Sequence, residues 1–160
     1  MKLFHSLNTT VFSKSDENKE EIKIGLKELF PFDLKKEKLI IQEEKVKGFD
    51  EKIMNIFTIL IKKQKLINEF AIFLFEKLNQ TQKEQIIEEI ETRIDDELYF
   101  YLRIDKKAWI KKKRILITEK GTCYHLKFKI AAYPSKKATA INLLKNFIEN
   151  QSNEKIQKSF

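Results

Sequence analysis

The sequence predicts an α+β domain, a mainly antiparallel sheet with helices packed on one face and elements in the order approximately βαββααβββα. Three observations carry this expectation. Short runs such as CYHLKFKIA at 123–131 alternate apolar and polar residues with a period of two, the mark of half-buried strands. Other segments return apolar residues every three or four positions, as amphipathic helices do. The chain of 160 residues is 42% hydrophobic with 13 phenylalanines and has no internal repeat or linker, which suits one packed core. Residues 1–150 are therefore expected to form a single domain, followed by a polar C-terminal tail at 151–160.

Each element has its own justification. LFHSLNTTVF, rich in β-branched and aromatic residues and bounded by SKSDEN, reads as the first strand, although its exposed face is hard to assign. Ser15 or Asp16 is placed to cap a helix beginning near Glu17, in which Ile22, Leu26, Leu29 and Phe30 share a face until Pro31 ends it. After the turn PFDLKK, KLIIQEEKV and EKIMNIFTILI read as two strands joined by KGFDE, where Gly48 and Asp50 supply turn chemistry. The nearly continuous apolar run of the second predicts a strand covered on both faces or lying at the sheet centre. From Lys63 to Asn79, Leu66, Ile67, Phe70, Phe73, Leu74 and Leu78 trace a helix whose apolar face is widened by Ile72 and Phe75. Core burial explains such a face, and a protein partner is the alternative.

Thr81 and Glu84 have capping-box spacing before a helix striped with Ile86, Ile87, Ile90 and Ile94. ELYFYLRI at 97–104, RILIT at 114–118 and CYHLKFKIA at 123–131 read as three more strands, the last two joined by EKGT. A final helix runs from about Ser135 to Glu149, with Ala138, Ile141, Leu144, Phe147 and Ile148 on one side, and QSNEKIQKSF is expected to fray.

Charge narrows the function. The net charge is +8, which favours an acidic partner such as nucleic acid or an anionic membrane surface. Residues 1–98 hold 17 Lys+Arg against 20 Asp+Glu, whereas residues 99–160 hold 15 against 4, so the basic surface belongs to the C-terminal part. A single cysteine and two histidines exclude an internal disulfide and a spaced zinc cluster, and they suit a reducing cytoplasm. The N-terminus lacks a long apolar signal core, and Lys62, Lys63 and Lys65 interrupt the longest apolar run, so no membrane span is expected. Nothing implies a cofactor.

Alternation then exposes a candidate site. In 97–104, Leu98, Phe100, Leu102 and Ile104 take one face, and Tyr99, Tyr101 and Arg103 the other. In 123–131, Tyr124, Leu126, Phe128 and Ile130 take the core face, and Cys123, His125, Lys127 and Lys129 the opposite one. A helix-free face carrying tyrosines and cations suits single-stranded or looped RNA, whose bases stack on rings while phosphates meet ammoniums; the ordinary alternative is a solvated sheet face. DKKAWIKKKR adds Lys106, Lys107, Trp109, Lys111, Lys112, Lys113 and Arg114 in what reads as a loop between strands, though Trp109 more often plugs a core. Pro134 suits the first turn of a helix, where Tyr133, Lys136 and Lys137 would flank free N–H groups able to hold an anion. Catalytic readings are weak. Asp95, Asp96 and Glu97 are a turn before they are a metal-binding nuclease cluster, and Cys123 with His125 lacks an orienting third group.

LYFYLRIDKKA followed by CYHLKFKIAAYPSKKATAI, together with the opening LFHSLNTTVFSKSDENKEEIKIGLKELFP, resembles an archaeal RNA-binding family described as predicted exosome subunits. The likeness covers about residues 3–150. It implies a fold similar to ribosomal protein L-five and a cytoplasmic role in RNA processing, RNA degradation or ribosome biogenesis. By motif, Arg103, Asp105 and Lys106 match the family's RxDK, and His125, Lys127, Lys129, Tyr133, Pro134 and Lys136 match its last motif. Trp109 and the lysines at 111–113 replace what is usually a less basic, glycine-bearing turn. The reading is thus a non-catalytic RNA-binding protein, with exosome or ribosomal-particle proteins as further partners. Its alternatives are an interaction subunit docking through helix 65–78 and a metal-dependent nuclease.

Overall fold

Eleven elements follow one another in the computed structural model, which describes residues 2–158 and side chains as far as Gln151. They are β1 (Phe4–Ser13), α1 (Lys19–Glu28), β2 (Gln42–Lys47), β3 (Ile53–Ile61), α2 (Gln64–Lys77), α3 (Gln80–Glu88), α4 (Ile90–Arg93), β4 (Tyr99–Asp105), α5 (Lys106–Lys112), β5 (Cys123–Ile130) and α6 (Lys137–Lys158). The five strands form one antiparallel sheet in the order β2-β3-β1-β5-β4, with helices on one face, so the α+β class is as the sequence predicts. The β2–β3 hairpin pairs Gln42 with Thr58 and Lys47 with Ile53. Its turn is closed by Gly48 and Asp50, the latter accepting from Lys52 N–H at 3.2 Å.

Several boundaries differ from the sequence reading for local reasons. The cap of α1 is Asn18, which accepts from Glu21 N–H at 3.1 Å, because Ser15 and Asp16 are taken up in a turn closed by Glu17 N–H on Lys14 O. The capping box lies two residues earlier than expected, between Asn79 and Gln82. The isoleucine stripe is broken at Glu89 into α3 and α4, and Ile94 instead bridges Phe100. RILIT is not a strand; it pairs only through Ile117 with Ile104. β1, not β3, is the central strand, and β3 is covered on one face: Phe57, Ile59 and Ile61 are buried while Leu60 remains 50% exposed. Segment 105–114 is the helix α5 rather than a loop, capped by Asp105, whose side chain accepts from Ala108 N–H at 2.9 Å, and ended by Lys113 in the left-handed region. α6 begins at Lys137, three residues after Pro134, and runs past Glu149 to Lys158. Of the C-terminal tail, residues 159–160 lie outside the described residues.

The chain divides into two units. Unit one comprises 1–7, 62–101 and 127–160, and unit two 8–61 and 102–126. The core of unit one is centred on Phe128, whose ring lies 4.7 Å from that of Phe4, 5.9 Å from Phe100 and 6.1 Å from Phe70. α2 and α6 pack through Phe75, which meets Phe147 edge-on at 5.4 Å. Phe75 is fully buried and Phe73 half-buried beneath Lys77, so the aromatic breadth of α2 is largely spent inside the unit. In unit two, β5 is tied to α1 by Tyr124, whose hydroxyl donates to Ile22 O at 2.9 Å, and α5 by Trp109, whose Nε1–H donates to Gly25 O at 2.7 Å. Among the described residues no helix is long and apolar enough to cross a membrane.

Candidate nucleic-acid interface

The outward side chains of unit one converge where β4 and β5 lie side by side. β4 alternates half-buried Tyr99 and Tyr101 with buried Phe100 and Leu102, and β5 alternates Lys127 and Lys129 with Leu126, Phe128 and Ile130, as period two requires. The consequence is a small cationic and aromatic cluster. Lys127 Nζ stands 4.1 Å from the Tyr99 ring centroid and 5.9 Å from that of Tyr101, and Lys129 Nζ stands 4.6 Å from Tyr99. The ring quadrupole attracts both ammoniums and fixes where they sit. Lys129 Nζ also donates to Glu97 O.

Asp95 organises this cluster. Its Oδ1 accepts from the N–H groups of Glu97 and Tyr99, each at 3.0 Å, and its Oδ2 accepts the Tyr101 hydroxyl at 2.8 Å. Burial alone would raise its pKa. The Tyr99 N–H, the Tyr101 hydroxyl, the Glu97 N–H and the Lys127 charge together hold it below the ordinary carboxylate range. The Tyr101 hydroxyl is in turn pushed up to about 12, first by burial and then by its bond to Asp95. So Tyr101 is held by its hydroxyl as well as by its strand.

His5 on β1 is exposed and senses the same field. Burial first, and then the charges of Lys2 and Lys129, push its pKa below the usual histidine value. Sequence reading missed His5, whereas Asp95, read there as part of a turn, is a turn residue and holds the cluster as well. For His5 the obstacle is physical: inward positions change phase between Phe4 and Leu7, so alternation read from either end of β1 assigns its faces differently. Asp95 carried a signal, its spacing to Glu97 as in an Asx turn.

The other expected site residues are placed as follows. In unit two Arg103 is exposed and donates to Glu119 O at 2.9 Å, and His125 is half-buried. Cys123 is buried, and burial pushes its thiol up despite Arg103 and Lys106. On α5, Lys107, Lys111 and Lys112 are exposed, as is the following Arg114. Lys113 pairs with Glu28 and lies 5.3 Å over the Trp109 ring.

Three expectations are corrected. Trp109 is not offered to a base, because its ring is buried and its N–H satisfies Gly25 O. Lys106 is not offered to a phosphate: it is 3% exposed, donating to Phe12 O at 2.6 Å and to Glu17 Oε1 and Oε2 at 3.1 and 3.2 Å. In unit one Tyr133 and Lys136 are exposed and Lys137 opens α6, but Pro134 does not: it lies three residues before the helix, and its carbonyl accepts from Lys136 N–H at 2.8 Å. The expected anion site on Pro134 is therefore not built as the sequence suggested. Among the described residues no three His, Cys, Asp or Glu side chains are grouped to hold a metal ion.

Comparison with known proteins bears on the family of the chain. An RNA-binding protein of Pyrococcus abyssi is 22% identical over 148 residues, covering 92% of this chain and 95% of its own. A crystal structure from Archaeglobus fulgidus is similar at 26% identity and TM-score 0.79, over 89% of this chain and 98% of that one. Another from Sulfolobus solfataricus shares the fold at 17% identity and TM-score 0.74, over 94% and 98% of the two chains. The family model described as RNA binding matches residues 6–130, and on that match this chain belongs to the RNA binding family.

Proposed function

We propose that this chain binds RNA without catalysing a reaction on it, and that Lys127, Lys129 and Tyr99 grip the RNA strand. The observation that carries the reading is the pair of ammoniums gathered over one tyrosine ring, in a chain of the RNA binding family. At physiological salt the Debye length is about 8 Å, so charges this close add their fields before solvent screens them. A phosphate placed there relieves the mutual repulsion of the lysines and releases counterions. Tyr99 holds both ammoniums in place through its ring, while Tyr101, anchored on Asp95, stands beside Lys127.

Resemblance to proteins described as predicted exosome subunits extends the proposal to a cytoplasmic role in RNA processing or ribosome biogenesis. Crosslinking to RNA in cells, with sequencing of the RNA and identification of copurified proteins, tests that extension.

The direct test is affinity for a short single-stranded RNA across a salt series. Lys127→Ala with Lys129→Ala removes two phosphate contacts, so the slope of log affinity against log salt becomes shallower by about 1.4. Affinity falls to a similar extent for unrelated sequences, and the RNA stays intact in the presence of Mg²⁺. Unchanged affinity and slope in the double variant would reject this placement, and cleavage would reject the non-catalytic reading.

A further inference from the structure

Unit two holds a cavity of about 540 Å³ that the sheet cluster does not use, walled by α1 and segment 31–41. In the sequence 31–36 reads as a turn and 38–41 as the start of a strand, but β2 begins only at Gln42 and the whole segment before it is firmly built. Asp33 Oδ1 accepts from the N–H groups of Lys35 and Lys36 at 2.9 and 3.3 Å, and Leu39 N–H returns to Leu34 O at 2.8 Å. Lys38 closes the turn at φ 58°, a left-handed conformation that an L residue adopts only where its surroundings hold it.

The cavity has two kinds of wall. One is apolar: Phe32 is half-buried and braced by the ring of Phe30 at 5.7 Å, beside Leu39 and Ile41. The other is cationic. Lys23 and Lys27 lie one helical turn apart on α1, and Lys35 comes from the facing segment. Two acids also line the cavity, but both are committed, Glu28 to Lys113 and Asp33 to its two N–H groups. Among the described residues Lys27 and Lys35 have no acidic partner.

We infer that this cavity takes one unstacked nucleotide of a bound RNA strand, its base against Phe32 and the aliphatic wall and its phosphate at Lys23, Lys27 and Lys35. The pairing of an aromatic face with a cationic rim is the chemistry by which single-stranded nucleic acids are held, and the volume lies within the range of small-ligand sites. Charge complementarity selects a phosphate-bearing ligand over a neutral one, and the planar Phe32 ring selects a heterocycle over an alkyl chain. The inference rests on the RNA-binding reading and adds a second contact point to it.

The test uses the full chain with three probes: a short single-stranded RNA, AMP and decanoate. Expected are shifts of the Phe32, Leu39 and Ile41 amide resonances with RNA and with AMP. Phe32→Ala weakens RNA binding by about tenfold, in the range of one lost base stack. Because Phe32→Ala also removes packing on Phe30, Lys27→Ala with Lys35→Ala is measured beside it, and its salt slope becomes shallower by about 1.4. If RNA affinity depends on Lys127 and Lys129, yet neither pocket variant alters it and the pocket amides stay still, the pocket inference fails alone. If affinity ignores Lys127 and Lys129 but falls in the pocket variants, the sheet-cluster reading fails and the pocket stands. AMP shifts without any effect of the pocket variants on RNA overturn the commitment to a strand, and shifts with decanoate but not AMP overturn the nucleotide. No RNA binding by the wild-type chain overturns both.

Discussion

Gly25→Ala isolates the contact that ties β5 to α1 in unit two. Helix propensity alone argues that the substitution stabilises by about 1 kcal/mol, since alanine suits a helix interior better than glycine. Gly25 is not needed for a left-handed conformation either, as no described glycine has positive φ. What the position lacks is space. A Cβ there would lie 2.3 Å from the Tyr124 hydroxyl oxygen and 3.1 Å from Ile110 Cγ1. Tyr124 cannot swing aside cheaply, because it is fully buried and its hydroxyl is fixed on Ile22 O at 2.9 Å. Overpacking of this kind costs about 1–3 kcal/mol, and a buried hydroxyl pulled off its acceptor costs about 1–3 kcal/mol more. Sliding α1 instead would strain the 2.7 Å bond from Trp109 to the Gly25 carbonyl. After the propensity gain, a net loss of about 1–5 kcal/mol remains. Urea denaturation of wild type, Gly25→Ala, Tyr124→Phe and the double variant measures the coupling. In the Tyr124→Phe background the closest atom is gone, so Gly25→Ala costs less than about 1 kcal/mol and the two changes are non-additive. A stabilised Gly25→Ala variant, or a penalty that persists in the Tyr124→Phe background, refutes the steric reasoning.

Other outcomes follow from the same contacts. Lys106→Ala leaves the partly exposed Glu17 and the Phe12 carbonyl without their cation and lowers unfolding free energy by about 1–3 kcal/mol, whereas exposed Lys107→Ala and Lys111→Ala stay within about 0.5 kcal/mol; denaturant titration separates them. Tyr101 is raised in the folded state from 10.0 to about 12, so its contribution is complete below pH 10 and is lost as pH rises between those values. The stability difference between wild type and Tyr101→Phe therefore shrinks across that window, and a pH-independent difference would contradict the Asp95 bond. Asp95 is shifted the other way, so its contribution is present above the ordinary value of 3.8 and lost as pH falls through its lower folded value; the deficit of Asp95→Ala narrows correspondingly in acid.

Legibility differed between strands and what joins them. The inward set Tyr124, Leu126, Phe128 and Ile130 and the outward lysines of β5 were readable because period two is local and one buried face enforces it. Proximity of Lys127 to Tyr99 was readable only as a shared face, since the ring contact depends on the pairing of strands remote in sequence. Lys106 was misread because it opens a lysine-rich run, and its partner Glu17 lies 89 residues away. α5 has seven residues, too few for a helical period to outweigh its density of charge. RILIT has the composition of a strand, but composition does not supply a partner, and only Ile117 finds one.

The same contrast decides how charge should be converted into RNA affinity. The excess of positive charge after residue 99 suggests a large electrostatic footprint. Yet Lys106 neutralises Glu17 and Lys113 neutralises Glu28. On the proposed reading, lysines in no ion pair among the described residues are the ones able to exchange counterions for phosphate, and these include Lys127 and Lys129 over Tyr99 and Lys27 and Lys35 at the unit-two cavity. Each such lysine contributes about 0.7 to the salt slope with single-stranded RNA, while an already neutralised one contributes nothing. Lys113→Ala should thus leave the slope unaltered although it removes as much formal charge as Lys127→Ala. Equal slopes in those two variants would mean that RNA reads the net charge of the chain rather than its arrangement.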